Sequence, residues 1–589
     1  MGISFVGRPK YLVDVNAYCI VEQPRVFGKP RPEYTALSYV WGKIENYRLT
    51  KDKLPMLQER DSLRHATIAE RIPRTVRHAI DMTRLLGIPY LWVDTLCIIQ
   101  DGEEKEKVEE LNKMADIFHG SCFTLVVADG PDADYGIRGL GEVTQPLRRN
   151  HGQQIFSLGK LGRAIVRKFS LWGRETTHMS PKGYYERAWT LQEYMFSKKR
   201  LIFEGGSVLW ECCESTCFED VHRPCGPLKG LPATELSPDV DMLAKLINGY
   251  NARQVTYETD RLRAFAGVGT AMSLQFRGGF ICGLPKAFID MALLWQPDIS
   301  HLWGYDSEIR RRGHCEGADE LPSRQSSVLP SWSWAGWIGS IDFSSWKGIS
   351  EVLHESASGL ETYRQTIPIT TWYLGDTTSS SRRILSNEWY SLRENAYNNN
   401  WQPLDGWRKH SRPIVGAFGD ELTSCYFTHY ATGEDKFRYP TLLNQGPMTP
   451  MSLAPLLFAS VDAATFYTCG AGVPWHNDDR SENIETRTGD WVGILVPHSR
   501  NDLEKDTRPR TQPLELVAIS LGSIDDYEVG IHEYNYVMEH QLTNGKLYEF
   551  YNVLWVKRYG EISERRGIGR VPRKTWESYE RRRVDLILG

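Results

Sequence analysis

Over the first 130 residues, short apolar runs alternate with amphipathic stretches. Within Tyr34 to Gly42, Ala36 to Val40 reads as strand, broken by Trp41-Gly42. Pro73 then opens a helix at the position where proline is tolerated. Val76, Ala79, Ile80, Thr83 and Leu86 recur on one face of that helix, and Gly87 ends it. Tyr90 to Ile99 is almost continuously apolar, the mark of burial on both faces, and the simplest reading makes Leu91-Trp92-Val93 the strand with Asp94 at its carboxyl end. Glu103 to Phe118 is amphipathic again, with Val108, Leu111, Met114 or Ala115, and Phe118 inward. Cys122 to Ala128 is a β-rich run stopped by Asp129-Gly130. The pattern predicts strand, helix, strand, helix, strand, with right-handed crossovers making the strands parallel. Ser38, Asp94 and Asp129 then gather at the carboxyl edge, where open α/β sheets place ligands. Asp94 is a lone carboxylate in an apolar run: it belongs at the mouth of a site, or it caps the next turn or pairs with an arginine.

Around this block the signals are shorter. Tyr11-Leu-Val precedes a Pro/Gly-containing loop and fits an edge hairpin or a lead-in, and residues 43–72 read as loop with some helix. Gln154 to Leu158 with Arg163 to Lys168, and Arg200 to Phe203 with Ser207 to Trp210, read as two hairpins. Between them, Trp189 and Glu193 stand four apart, on one helix face. Met242, Leu243, Leu246 and Ile247 form a helical stripe. Thr259-Asp260 is placed to cap a second helix through Leu262, Phe265 and Val268, and Ala287 to Trp295 suggests a third. Pro330 to Trp337 is strand-like, its three tryptophans forming either core or a stacking platform. Residues 375–450 suggest long loops. Trp491 to Val496, Leu514 to Leu521 and Tyr551 to Val556 suggest a β-rich end, and the basic tail fits a solvated helix docked by Trp576, Val584 and Ile587. The expected division is a lead-in (1–33), an α/β domain (34–215), a mainly helical region (216–345), a loop-rich region (346–450) and a β-rich region with a basic tail (451–589).

Composition narrows the classes. The 589 residues are 41% hydrophobic and 24% charged, which is ordinary for a globular chain, and a net charge of −4 gives no drive toward nucleic acid or membrane. No apolar run reaches about 18 residues, so no membrane span is expected. Eleven cysteines without a secretory signal favour reduced thiols in the cytoplasm, with the nucleus left open. Cys212, Cys213, Cys217 and Cys225 cluster near His222, but only Cys213 and Cys217 have the spacing of a zinc-ligand pair, so ordinary thiols and no metal are expected. P-loop, dinucleotide and hydrolase-elbow signatures are absent.

Three blocks carry a resemblance. Tyr34-Thr-Ala-Leu-Ser-Tyr-Val-Trp-Gly42, Tyr90-Leu-Trp-Val-Asp-Thr-Leu-Cys-Ile-Ile-Gln-Asp101 and Arg187-Ala-Trp-Thr-Leu-Gln-Glu193 resemble, in order and spacing, the signature blocks of the fungal heterokaryon incompatibility (HET) domain family. Tyr257 to Gly267 and Pro330 to Trp334 are similar to segments found downstream in such proteins. Lys43 departs from the acidic residue the family often carries there. The resemblance implies non-self recognition and programmed cell death. Through the family's distant similarity to TIR domains, it also implies a flavodoxin-like parallel sheet and hydrolysis of NAD⁺ as a substrate, with no permanently bound cofactor. On that reading Glu193, four after Trp189, is the catalytic carboxylate. Ser38, Trp41 and Gly42 line the entrance, Asp94 orients polar groups, and Arg187 meets a phosphate. Self-assembly and an incompatibility partner protein are implied as well. The alternatives are that Glu193 pairs with Arg187 or a lysine and only fixes its helix, and that the domain is a non-enzymatic interaction module.

Overall fold

The computed structural model describes residues 7–23, 32–137, 139–140, 154–157, 163–166, 183–205, 207–218, 238–298, 309–312, 329–348, 364–379, 381–397, 406–415, 421–430, 433, 436–437, 439–440, 448–468, 481–499, 513–525 and 547–589. The chain divides into two compact units. One comprises Met1–Ala233 with Arg253–Val255, and the other Thr234–Ala252 with Thr256–Gly589. No helix among the described residues is long and apolar enough to cross a membrane.

The first unit is built on an eight-stranded sheet. In chain order its strands and main helices are β1 (Tyr11–Asp14), β2 (Cys19–Glu22), β3 (Tyr34–Tyr39), α1 (Arg74–Leu85), β4 (Tyr90–Trp92), α2 (Asp94–Cys97), α3 (Glu104–Asn112), α4 (Met114–Gly120) and β5 (Phe123–Val127). A separate hairpin, β6 (Gln154–Ser157) and β7 (Arg163–Val166), precedes α5 (Ala188–Phe196), β8 (Lys199–Glu204), β9 (Ser207–Cys212) and β10 (Thr216–Phe218). The sheet order is β10-β9-β8-β5-β3-β4-β1-β2. The predicted parallel core is present and gains a strand: β4, β3, β5 and β8 run parallel, with Ala36 beside Trp92 and Thr124, and Val126 beside Ile202. The whole sheet is mixed, because the edge hairpin β1–β2 and the strands β9 and β10 join antiparallel.

The strand expected over Leu91-Trp92-Val93 is β4, and just past it Leu96 and Cys97 close a helical turn by donating to the Val93 carbonyl at 3.1 and 2.8 Å. Apolarity continues only because that turn is also buried. The stretch from Glu103 is two helices, interrupted at Lys113. Leu86, read as inward-facing, is the exposed C-cap of α1, whereas Val76, Ala79, Ile80 and Thr83 do face the core. Thr83 and Thr35 share a buried hydroxyl–hydroxyl bond of 2.7 Å that ties α1 to β3.

In the second unit, Asp239 caps the helix Val240–Asn251 by accepting from Met242 N at 2.8 Å. The next helix, Arg263–Met272, follows a short 3₁₀ turn at Glu258–Asp260 and has no side-chain cap. The predicted third helix is a 3₁₀ turn followed by a four-residue helix, Ile289–Ala292. Ser331 to Gly336 is turn and 3₁₀ helix rather than strand, since Ser333 accepts from the Ala335 amide, and only Trp337 opens a two-residue strand; Trp332, Trp334 and Trp337 are core. The stretch expected as loop holds a helix, Glu388–Tyr397, and a hairpin, Trp407–Val415 with Glu421–His429, anchored by Trp407, Phe427, Phe437 and Tyr439.

Toward the end, six strands pair in a closed circuit: Leu456–Tyr467, Pro513–Asp525, Leu547–Tyr559, Ile562–Pro572, Trp491–Pro497, Glu482–Glu485 and back to the first. Phe466, Leu495, Leu516, Trp555 and Trp576 bury against one another among these strands. The basic tail is therefore mainly strand: Arg582–Leu588 pairs with Leu456–Tyr467, and only Arg573–Ser578 is helical.

Trp92 is fully buried and meets Phe118 edge-on, with ring centroids 5.4 Å apart. Trp92→Ala is expected to cost about 3–5 kcal/mol of stability through lost burial and a residual cavity. Urea unfolding of the full chain measures this, and a loss below about 1 kcal/mol would contradict the packing described.

Candidate functional site

The site forms where β3 ends. Side chains along a strand alternate between faces. Thr35 and Tyr39 turn toward α1 and α2, where the Tyr39 hydroxyl lies 3.3 Å from Thr95 Oγ1. Ser38 turns the other way, to α5. There its hydroxyl hydrogen-bonds the Glu193 carboxylate and the Tyr184 hydroxyl, the latter at 2.6 Å. All three groups are buried, with Glu193 only 6% exposed.

Asp94 stands just past β4, half-buried at the start of α2. Its Oδ2 accepts from the Trp41 indole N–H at 3.0 Å, and its Oδ1 from the Thr95 amide at 2.8 Å. Asp94 is thus the first residue of α2, whose N-cap is Val93 without a side-chain cap, and it meets Trp41 at the sheet's carboxyl edge. Trp41 is half-buried, with the Arg48 guanidinium 5.5 Å from its ring. Gly42 takes φ +68°, and a Cβ at this position would stand 2.2 Å from the Asp132 Cβ, so glycine is required where loop 131–133 closes on the turn. Lys43 is exposed.

Arg187 N-caps α5 and donates from Nη1 to the Tyr39 carbonyl at 2.5 Å. Its charge is the strongest influence favouring ionisation of both carboxylates. Burial nevertheless prevails, pushing Glu193 up to about 7 and Asp94 up to about 6. The Asp94 charge also raises Glu193, so the two carboxylates, Arg187 and the end of β3 form one electrostatic cluster. Among the described residues, Glu193 takes its hydrogen bond from Ser38, and Arg187 acts on it through space. Trp189, one turn before Glu193, is half-buried. Asp129 lies at the same edge of the sheet, where it accepts from the Gly205 amide at 2.7 Å.

Three contributors escape sequence reading. Tyr184 completes the chain Tyr184–Ser38–Glu193; its position three residues before Arg187 is the only hint. Tyr39 supplies the carbonyl that holds Arg187, a backbone role that no side-chain pattern reports. The segment Arg253–Val255 returns from distant sequence to the start of α5. Gln254 exchanges backbone bonds with Glu186 O and Ala188 N at 2.5 and 2.8 Å, and Arg253 Nη1 donates to Arg187 O at 3.1 Å and Thr190 Oγ1 at 3.2 Å. Among the described residues no three His, Cys, Asp or Glu side chains gather as a metal site; Cys225 and His222 lie outside the described residues.

A family model described as heterokaryon incompatibility protein (HET) matches residues 34–193, from the first residue of β3 to the glutamate of α5. This stretch is a HET domain, which points to a function of the heterokaryon-incompatibility type. No curated protein and no solved structure matches the chain. Arg253–Val255 falls outside the matched span.

The raised carboxylates fix the sign of a pH effect. Glu193 ionises at about 7 in the folded chain against an ordinary 4.5, so the folded state holds the extra proton between those values. Stability then falls as pH rises through that window, and Asp94, raised from 3.8 to about 6, acts in the same direction. Glu193→Gln removes the larger effect. Between pH 5 and 8 its stability relative to wild type is expected to improve by about 1–3 kcal/mol in urea unfolding. A gap that does not change with pH would contradict the buried, raised carboxyl.

Proposed function

We propose that this HET domain is a cell-death effector in non-self recognition that hydrolyses NAD⁺ by a TIR-like route. The observation that carries the reading is the pair of carboxylates from separate segments, both raised toward neutrality and sharing one arginine at the carboxyl edge of parallel strands. Perturbed carboxyl pairs at such an edge are the usual mark of a reactive site. In the reaction, the bond between nicotinamide and ribose breaks through an oxocarbenium-like state, nicotinamide leaves with the bonding electrons, and water adds to the ribosyl carbon. Ionised Glu193 stabilises the developing positive charge. Asp94 orients the ribose hydroxyls with Trp41 beside it, and Arg187 uses its remaining donors on a phosphate. NAD⁺ is substrate rather than resident cofactor, and the effector acts in the cytoplasm as an assembly engaged by its incompatibility partner.

One observation favours a second reading. Glu193 is nearly closed off, and its hydrogen bond goes to Ser38 of its own fold. In that reading the carboxyl fastens α5 to β3, and the half-buried edge of Trp41 and Asp94 serves a non-enzymatic interaction module. Nicotinamide release by the purified full chain separates the two. Enzymatic action predicts measurable turnover, rising with pH toward neutrality as Glu193 ionises. It also predicts a loss of about 100-fold or more in both Glu193→Gln and Asp94→Asn. Turnover untouched by either substitution removes these residues from the chemistry, and no release from any assembled state selects the module.

A further inference from the structure

The start of α5 is held by a segment from far downstream. Arg253–Val255 belongs to the first unit, although Ala252 and Thr256 on either side of it belong to the second. Gln254 pairs with Arg187 in a parallel bridge. Arg253 is half-buried, whereas Ala252, Gln254 and Thr256 are exposed. The family match ends at Glu193, so this arginine lies outside it.

Arg253 reaches the glutamate by two routes. The first is mechanical. Its Nη1 donates to Arg187 O at 3.1 Å and to Thr190 Oγ1 at 3.2 Å. The Thr190 hydroxyl is buried, 2.7 Å from Tyr184 O and 2.8 Å from Arg187 O. A hydroxyl carries one proton to give and can accept as well, so the arginine fills its accepting side. Tyr184 in turn places its own hydroxyl on Ser38, which is bonded to Glu193. One guanidinium therefore braces both the first turn of α5 and the segment that encloses the carboxyl.

The second route is electrostatic. Thr190 and Glu193 stand three apart on α5 and share a face. A guanidinium bonded to Thr190 lies along the face that presents the carboxyl. Its charge favours ionised Glu193, adding to the stronger effect of Arg187 and opposing burial and the Asp94 charge. Tyr39 and Tyr184 are the other titratable groups coupled to Glu193, and Ser38 hydrogen-bonds it. On α4, which packs beside α5, the titratable side chains are Asp116 and His119, and Asp116 accepts from the Gly7 amide at 2.7 Å.

We infer that Arg253 is a positioning residue of the glutamate site: it sets the opening turn of α5 and places a second guanidinium along the face that carries Glu193. Its effect on turnover rests on the hydrolytic reading above; its effect on the carboxyl does not.

Two variants of the full chain test this. Arg253→Gln keeps a donor without the charge, and Arg253→Lys keeps the charge without the fork. Urea unfolding is followed from pH 5 to 9 for wild type and both variants, each with and without Glu193→Gln. The gap that Glu193→Gln opens widens with pH until the carboxyl is ionised in the folded chain, and then levels. In Arg253→Gln the levelling is expected about half a pH unit or more higher, because the carboxyl has lost a favourable charge. Arg253→Lys is expected to return it to the wild-type position. A purely structural arginine lowers stability alike at every pH and leaves the levelling where it was, which overturns the inference. Where Arg253→Gln does not fold, Thr190→Val, which removes the arginine's seat on the helix face, is measured in its place with the same two outcomes. Nicotinamide release from NAD⁺ is the second readout. Arg253→Gln is expected to slow it by about 10-fold or more and to move its acid limb up with the levelling. No release from any chain removes the hydrolytic reading alone, and the unfolding data still decide on Arg253. Release with an acid limb and levelling unmoved in Arg253→Gln removes the positioning role alone.

Discussion

The arrangement at the sheet edge depends on a dry hydrogen-bonded joint between a strand and a helix. Ser38 projects from β3 into a space closed by Tyr184 and α5, and there it meets the Glu193 carboxyl. An ionised carboxyl in that space has few donors to replace water, so the proton is held up to about neutral pH. The placement of Arg187, Trp189 and the start of α5 follows, because the helix that presents Glu193 must enter the sheet edge just past Tyr39. A group whose charge changes near neutrality also links the joint's strength to its protonation.

Much of this was legible in the residues. Apolar runs at the right spacing gave β3, β4 and β5 and the helices between them. Ser38 and Asp94 were assigned to the carboxyl edge because both lie at strand ends. The four-residue step from Trp189 to Glu193 was also visible. What escaped has identifiable causes. The tryptophans at 332 and 334 are spaced as on one face of a strand, but Ser333 diverts the backbone into a turn. The Arg-rich tail reads as exposed because arginines usually are. Arg565 is instead almost wholly enclosed, with carbonyl oxygens and an indole face in place of solvent.

The two units treat buried charge differently. In the HET domain a carboxyl is brought toward neutrality by the proton it keeps. In the second unit, burial pushes the Arg565 guanidinium well below its usual range, near an imidazole, that of His498, which burial keeps neutral. A carboxyl can shed its charge at modest cost, whereas a guanidinium cannot, so its surroundings must supply acceptors or opposite charge.

The return of Arg253–Val255 to α5 has a consequence for where the first unit ends. The Ala188 amide lies in the first turn of α5, where no carbonyl of the same helix can reach it, and its acceptor is Gln254. Arg253 binds the Arg187 carbonyl and the Thr190 hydroxyl beside it. A polypeptide stopping at residue 193, or even at 215, would keep every residue of the three signature blocks. It would nonetheless expose the opening turn of the glutamate-bearing helix to water. The self-sufficient piece is therefore discontinuous, and excising it means carrying the later strap along or grafting it back.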